Sequence, residues 1–202
     1  MHNNLPGSDG EHILQENFQT LDKAQGFYKR QMIDYLAPKM QDFIKNQEMM
    51  FISTADKKGM CDCSLRTGKL GFVSVLDEKT LIYPEFKGNG VMASMGNISE
   101  NPYIGLLFLD FLEDKVGLHV NAEAKILQKD ELHKYLKKEQ FNIIEKTKIY
   151  NTKRDVAWLL LKVDEAYIHC SKNIPMFVKN IDKSIEQKVC SIDYFELEKE
   201  NR

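Results

Sequence analysis

Residues 49–68, MMFISTADKKGMCDCSLRTG, hold the pattern that determines the fold. The apolar run Met49–Ala55 leads into the turn Asp56–Gly59, and Met60–Leu65 follows as a second run. Two short runs joined by a polar turn that ends in glycine are typical of a β-hairpin. The stretch therefore predicts that the middle of the chain is antiparallel β-structure.

Further strands are predicted on both sides of a central loop and near the end of the chain. Most of them form consecutive hairpins, and closing such a sheet removes exposed strand edges, which favours a small barrel over an open sheet. These strands are Gly71–Leu76, Thr80–Pro84, Tyr103–Phe111, Gly117–Leu127, Val156–Val163 and Ala166–Cys170.

Helical periodicity precedes and follows the β-rich centre. From Glu11 to Asn46 apolar residues recur at spacings of three and four, which is the pattern of amphipathic helices. Pro38 either starts a second helix within this region or kinks one. A short helix is predicted at Val91–Ile98, and Asp130 caps another that ends near Gln140. Residues 171–202 are polar and are expected to be helical in part.

Composition and charge limit the classes of function. The chain has 202 residues with 28 basic and 30 acidic side chains, and its formal net charge of −2 provides no basic field for nucleic acid or an anionic membrane. The longest apolar stretch, Gly105–Leu112, contains Asp110 and is too short to span a bilayer. The first 13 residues lack the apolar core of a signal peptide. We therefore expect a cytoplasmic protein with no nucleic-acid or membrane partner.

The four cysteines are Cys61, Cys63, Cys170 and Cys190. Structural zinc sites usually combine two closely spaced pairs of ligands, and here a single Cys-x-Cys has no matching second pair. The sequence therefore predicts no metal site, and the cysteines are interpreted as reduced thiols of a cytoplasmic protein.

The first candidate binding cluster is the strand end at Ser64, Arg66 and Thr67, which Gly68 follows. Arginine offers a planar fork of donors, serine and threonine offer hydroxyls, and glycine allows backbone N–H groups to approach an anion. Taken alone, such a strand end is more often a plain turn.

The second cluster surrounds a glycine-rich loop that runs into the predicted helix at Val91–Ile98. Backbone donors at a helix start, together with one lysine, form a phosphate site. The loop lacks the sequence of a P-loop and of the dinucleotide fingerprint. The candidate residues of this cluster are Pro84, Lys87, Asn89 and Ser94.

His119 is the third candidate, on a predicted strand between Leu118 and Val120. A single strand histidine is more often structural than catalytic, and the functional interpretation depends on its pKa near neutrality. The chain contains neither G-x-S-x-G nor H-E-x-x-H, so no catalytic residue is assigned.

The order of these clusters along the chain resembles that of the pyridoxamine-5′-phosphate-oxidase-related FMN-binding proteins. The resemblance covers roughly residues 14–176, including an N-terminal part similar to an uncharacterised bacterial branch of the family. The matching stretches are Phe51–Ala55, Cys61–Gly68, Gly71–Leu76, Thr80–Gly90, Val91–Pro102, Gly105–Phe111, Gly117–Ala124 and Ala166–Lys172.

This resemblance implies a mainly β fold with added N-terminal helices, a six-stranded antiparallel, Greek-key-like split β-barrel that binds FMN. It implies a homodimer with one FMN in each of two clefts shared by the subunits. The chain then divides into an N-terminal helical extension at 1–46, an FMN-binding split-barrel domain at 47–176 and a C-terminal tail at 177–202.

The family also implies roles for the candidate residues. Arg66 and Lys87 would hold the flavin phosphate, and Ser64 and Thr67 belong to the same cofactor-binding set. Pro84 and the turn Asn89–Ser94 would flank the ribityl chain and phosphate, and His119 lies on the strand that passes near the flavin edge. Many relatives have Val-Asn-Gly where this chain has Val120-Asn121-Ala122, and the added methyl narrows the backbone approach there.

The primary hypothesis is an FMN-dependent oxidoreductase of unspecified substrate, in which the cofactor supplies the redox chemistry. One alternative is a non-catalytic flavin-binding or redox-sensing protein. Another keeps the fold but binds a deazaflavin, or a heme with His119 or His169 as axial ligand. A true pyridoxine-5′-phosphate oxidase is not expected, because such enzymes use an arginine-rich C-terminal segment for the substrate and no arginine lies between Arg154 and Arg202.

Overall fold

The computed structural model describes residues 5–147 and 155–178. Within them lie six α-helices and seven β-strands, with single 3₁₀ turns at Lys129–Glu131 and Ser171–Asn173. The helices are α1 Asp9–Asn17, α2 Leu21–Gln31, α3 Pro38–Lys45, α4 Ala93–Glu100, α5 Leu132–Tyr135 and α6 Lys138–Glu145. The strands are β1 Met49–Ala55, β2 Cys61–Thr67, β3 Ser74–Asp77, β4 Thr80–Phe86, β5 Tyr103–Leu109, β6 Gly117–Leu127 and β7 Asp155–His169.

The strands form one antiparallel sheet in the order β2-β1-β5-β6-β7-β4-β3. The three predicted hairpins are present, as β1–β2, β3–β4 and β5–β6. The expected fold class, mainly β with N-terminal helices, is confirmed.

The number of strands differs from both expectations. The sequence pattern predicts eight strands and the resemblance implies six, whereas the sheet has seven. The last two predicted strands are one continuous strand, β7, which contains a bulge opposite Asn121 and Ala122. Among the described residues β2 and β3 are the two edges of the sheet and do not pair with each other. The predicted closure by backbone hydrogen bonds is therefore absent.

The helical predictions also need correction. The periodic region from Glu11 to Asn46 contains three helices. Pro38 begins the third, where the N–H that proline lacks would have no partner within the helix. The single helix predicted over residues 130–140 is a 3₁₀ turn followed by α5 and α6, which are separated where Leu136 adopts an extended backbone. Most of the predicted tail, from residue 179 on, lies outside the described residues.

Local hydrogen bonds and one glycine stabilise the turn of the β1–β2 hairpin. Asp56 Oδ1 accepts hydrogen bonds from the backbone N–H groups of Lys58, at 2.8 Å, and Met60, at 2.9 Å. Gly59 has a φ of 82°, a conformation that favours glycine. The turn therefore fixes the register in which β2 pairs with β1, with Met50 opposite Arg66.

Two apolar clusters stabilise the sheet. The larger lies on its inner face and contains Met50, Ile52 and Phe108, each at most 1% exposed. The smaller surrounds Trp158 on the opposite side, beneath α5 and α6, and the indole Nε1 of Trp158 donates to Asp155 Oδ2 at 2.8 Å. Full burial of one such large side chain contributes about 1.5–3 kcal/mol.

The segment between α2 and α3 is attached to the sheet by backbone hydrogen bonds. Ile33 and Ala166 exchange two of them, at 3.0 and 2.7 Å, and Leu36 N–H donates to the carbonyl of Glu78 at 2.7 Å. Leu36 and Ile44 are completely buried in the larger cluster. Within the described part of the chain, no helix combines the length and the apolar character needed to cross a membrane.

Candidate ligand-binding cleft

A cleft of about 490 Å³ opens between β2, the end of β4 and the start of α4. It collects polar residues from both of the sequence clusters that were proposed to hold an anion. Seven of the eight predicted site residues line it: Ser64, Arg66, Thr67, Pro84, Lys87, Asn89 and Ser94. His119 is not among its lining residues.

The alternation of β2 accounts for three of the five β2 residues that line the cleft, and the other two, Leu65 and Thr67, lie on the exposed face. Successive side chains of a strand point to opposite faces, so Asp62, Ser64 and Arg66 share the half-buried inner face. Cys63 and Leu65 lie on the exposed outer face. The inner face of β2 packs against α4, and the end of β4 reaches it through Glu85 without pairing with it in the sheet.

Arg66 is held in place by a buried carboxylate. Its Nε donates to Glu85 Oε1 at 2.8 Å, and its Nη1 donates to the carbonyl of Leu65 at 3.3 Å. The Glu85 side chain is 5% exposed and that of Arg66 is 23% exposed. A guanidinium has five N–H donors, so this arrangement fixes the group and leaves donors for a ligand.

Tyr83 lies on the same face of β4 as Glu85 and is fully buried. Burial, and next the negative charge of Glu85, raise the pKa of Tyr83 well above its usual range. The tyrosine therefore stays neutral, and the Arg66–Glu85 pair lies against an uncharged wall.

The loop between β4 and α4 has glycine at two positions where the backbone takes a positive φ, as its sequence predicts. Gly88 and Gly90 have φ values of 51° and 82°, and Asn89 Oδ1 accepts a hydrogen bond from Val91 N–H at 3.0 Å. Met92, with a φ of 57°, precedes the first turn of α4, which lines the cleft. The N–H groups of a first helical turn have no partner within the helix, so they provide a partial positive charge at the cleft.

Two acidic residues of the cleft were not assigned a role from the sequence. Asp62 Oδ2 accepts hydrogen bonds from Ser64 Oγ at 2.9 Å and from Ser94 Oγ at 2.7 Å, and the two hydroxyl oxygens are 3.3 Å apart. Glu85 pairs with Arg66. Strand alternation in the sequence would have been enough to predict that Asp62 and Arg66 share one face of β2. The contact of Glu85 with Arg66 could not be predicted in this way, because it depends on how the fold brings β4 close to β2.

His119 lies on the outer face of β6, because its neighbours Leu118 and Val120 are buried on the inner face. Its Nε2 is 2.8 Å from Nδ1 of His169, and its ring stacks on Tyr167 with the ring centroids 4.7 Å apart. Burial, and next the proximity of His169, lower the pKa of His119. The structure therefore separates His119 from the other seven candidates within one chain.

No group of three or more histidine, cysteine or acidic side chains is arranged to hold a metal within residues 5–147 and 155–178. Cys61, Cys63 and Cys170 are exposed free thiols. Cys190 lies outside the described residues.

The antiparallel sheet of the described residues has two edge strands, β2 and β3, that do not pair, and a cleft lies beside β2. This is the architecture of the split β-barrel class. The sequence profile described as pyridoxamine 5′-phosphate oxidase matches residues 36–170, and the chain belongs to this family. The matched range runs from two residues before α3 to the residue after β7.

Several solved structures are similar to the chain at low sequence identity. HupZ of Group A Streptococcus is 23% identical, with 65% of this chain and 92% of that chain covered and a TM-score of 0.47. An FMN-binding protein from Syntrophomonas wolfei is 17% identical, with coverage of 81% and 98% and a TM-score of 0.46. The heme storage protein HutZ from Vibrio cholerae is 13% identical, with coverage of 66% and 94% and a TM-score of 0.44. No curated protein matches the chain.

Proposed function

We propose that the cleft binds FMN and that the protein is a cytoplasmic FMN-dependent oxidoreductase. The observation that carries the proposal is the convergence of seven candidate residues, from three separate elements, on one cleft. Its volume of about 490 Å³ lies within the usual range for cofactor sites. The three exposed free thiols support a reducing compartment.

The phosphate end of the ligand is assigned to the side of the cleft where Arg66 and Lys87 meet the start of α4. Arg66 provides a fixed fork, because Glu85 holds its Nε. Lys87 is exposed at the mouth and provides a mobile point charge. Flavins supply hydride and electron transfer when bound, so this chain needs no acid–base pair of its own for the redox step.

The outer face of the sheet supports our proposal that the protein is a homodimer. The strand registers place Leu65, Phe51, Leu107, His119 and Tyr167 side by side in one row across β2, β1, β5, β6 and β7. None of the five is buried in a single chain. Leu65 is exposed and the other four are half-buried, and Phe27 of α2 packs against Tyr167 at one end of the row. A row of partly exposed apolar and aromatic side chains is typical of an interface, and we assign it to a second copy of the chain.

The absorption spectrum of the purified protein, followed by titration with FMN, tests the cofactor assignment. We expect flavin absorption bands, or saturable uptake of added FMN with a change in its fluorescence. A titration with neither heat nor a fluorescence change would contradict the proposal. Turnover of NAD(P)H with an electron acceptor then distinguishes an oxidoreductase from a flavin-binding protein or redox sensor without turnover.

The substrate is proposed to differ from that of the oxidase that names the family. Only four of the 28 basic residues are arginines, so lysines such as Lys172 would have to replace the bidentate forks expected at a second phosphate site. FMN-loaded protein incubated in air with pyridoxine or pyridoxamine 5′-phosphate should form no pyridoxal 5′-phosphate. Product at about one turnover per second or faster would show that the protein is such an oxidase.

Heme is the second candidate ligand, because His119 and His169 form a hydrogen-bonded pair on the outer face of the sheet. A histidine oriented by a hydrogen bond on one ring nitrogen can ligate iron through the other. A Soret band that is lost in His169→Ala but not in Arg66→Ala would favour heme over a flavin. A deazaflavin would occupy the same cleft as FMN and differs in its absorption maximum.

A further inference from the structure

Asp62 lies where a phosphate-binding cleft is expected to have hydrogen-bond donors. Its carboxylate faces the cleft from the inner side of β2, two residues before Ser64 on the same face. It accepts from the hydroxyl of Ser64 at 2.9 Å and from that of Ser94, a residue 3% exposed in the first turn of α4, at 2.7 Å. One carboxylate oxygen therefore engages both serine hydroxyls of the cleft.

Proton counting determines what these serines can offer to a ligand. Each hydroxyl has a single proton, and a hydroxyl that donates to Asp62 presents only oxygen lone pairs to other groups. A phosphate is an acceptor in all its oxygens, so it gains nothing from such a hydroxyl. Rotating either hydroxyl toward a phosphate would remove a charge-assisted hydrogen bond from Asp62.

The charges around the cleft have the same effect. Four charged side chains line it: Asp62, Arg66, Glu85 and Lys87. Glu85 is compensated by Arg66, whereas no ion pair within the described residues includes Asp62. Through its hydrogen bond from Ser94 the carboxylate also lies beside the first turn of α4, where its negative charge offsets the partial positive charge that would favour an external anion.

We propose that Asp62 is a specificity-determining residue that weakens the binding of phosphorylated flavin relative to unphosphorylated flavin. It does so by taking the hydroxyl protons of Ser64 and Ser94 and by placing a negative charge beside the phosphate. This inference depends on the proposed binding of flavin in the cleft. It follows that the cleft releases FMN more readily than its arginine and lysine alone would allow.

The decisive variant is Asp62→Asn, which keeps the size of the side chain and removes the charge. We measure dissociation constants for FMN and riboflavin in the wild-type protein and in the variant. FMN should bind about tenfold more tightly in Asp62→Asn, as expected when a like charge next to an anion is removed, while riboflavin changes by less than about threefold. Asp42→Asn is the matched control, because Asp42 is an exposed carboxylate on α3 outside the cleft.

Ser94→Ala provides an independent readout if Asp62→Asn does not fold. If Ser94 donates to Asp62 and not to phosphate, the ratio of FMN to riboflavin affinity in Ser94→Ala should stay within about threefold of the wild-type ratio. A selective loss of FMN binding in Ser94→Ala would overturn the inference, and so would unchanged or weaker FMN binding in Asp62→Asn. If neither flavin binds to any of the proteins, the proposed function itself fails together with the inference.

Discussion

The cleft beside β2 and the histidine pair on β6 and β7 differ in what surrounds them. The cleft lies at a sheet edge, where β2 has a strand partner on one side only, and its lining combines four charged and three hydroxyl side chains with apolar ones. His119 lies on a central strand with β5 and β7 on either side, in a row of apolar and aromatic residues. The edge leaves room and donors for a small ligand, whereas the central face presents partly exposed apolar and aromatic side chains, which we assigned to a dimer interface.

The largest effect is expected from a charge placed in the apolar row. Leu107→Lys puts an ammonium group between Phe51 and His119 on the outer face of β5. We expect a monomer by light scattering and, if FMN binds in the proposed two-subunit cleft, loss of FMN binding, because that cleft would lose one wall. Leu14→Lys, at a 55% exposed position of α1, is the control and should remain a dimer. A wild-type monomer with FMN bound would refute the two-subunit cleft.

Arg66→Ala tests whether the cleft beside β2 binds the flavin phosphate. The variant loses the fork that Glu85 holds in place, and a charge-assisted hydrogen bond contributes about 1.5–3 kcal/mol, so FMN affinity should fall roughly ten- to a hundredfold. Riboflavin has no phosphate and should bind almost as in the wild type, as measured by fluorescence titration. Equal weakening of both ligands would assign Arg66 to the stability of the fold and not to the phosphate.

His119→Ala should have a smaller effect and a different selectivity. His119 stacks on Tyr167 on the outer face, away from the cleft residues of its own chain. If the partner's flavin ring approaches this row in the dimer, FMN and riboflavin should weaken together, by about three- to tenfold, the range of one aromatic contact. A loss confined to FMN would place His119 at the phosphate and remove the distinction between the two regions.

The smallest effect concerns pH. The pKa of His119 is lowered by burial and by His169, so in the folded state it takes up a proton at lower pH than in the unfolded chain. Below about pH 6.5, the usual pKa of histidine, the unfolded state therefore binds more protons and stability falls with decreasing pH. Urea midpoints at pH 7.5 and 5.5 should differ less in His119→Gln than in the wild type. His133→Gln, at an exposed position of α5, should keep the wild-type difference.

The parts of the site that could be predicted from the sequence are those fixed by local chemistry. Asn89 and its flanking glycines form the loop that turn preferences predict, and Ser64 and Arg66 share a face because β2 alternates. The Arg66–Glu85 pair could not be predicted, since it depends on two strands that are not neighbours in the sheet. The family resemblance groups His119 with the cleft, whereas the folded sheet buries Leu118 and Val120 on the inner face and places His119 on the outer face.

The backbone bridge between Ile33 and Ala166 also has a consequence for synthesis. The strand segment that contains Ala166 is the last of the sheet to leave the ribosome. The backbone of Ile33 therefore lacks its hydrogen-bond partner while the six earlier strands are made. Until it arrives, Leu36 and Ile44 have only part of their final apolar surroundings. A nascent chain arrested before Ala166 should therefore be a substrate for chaperones that bind exposed apolar segments.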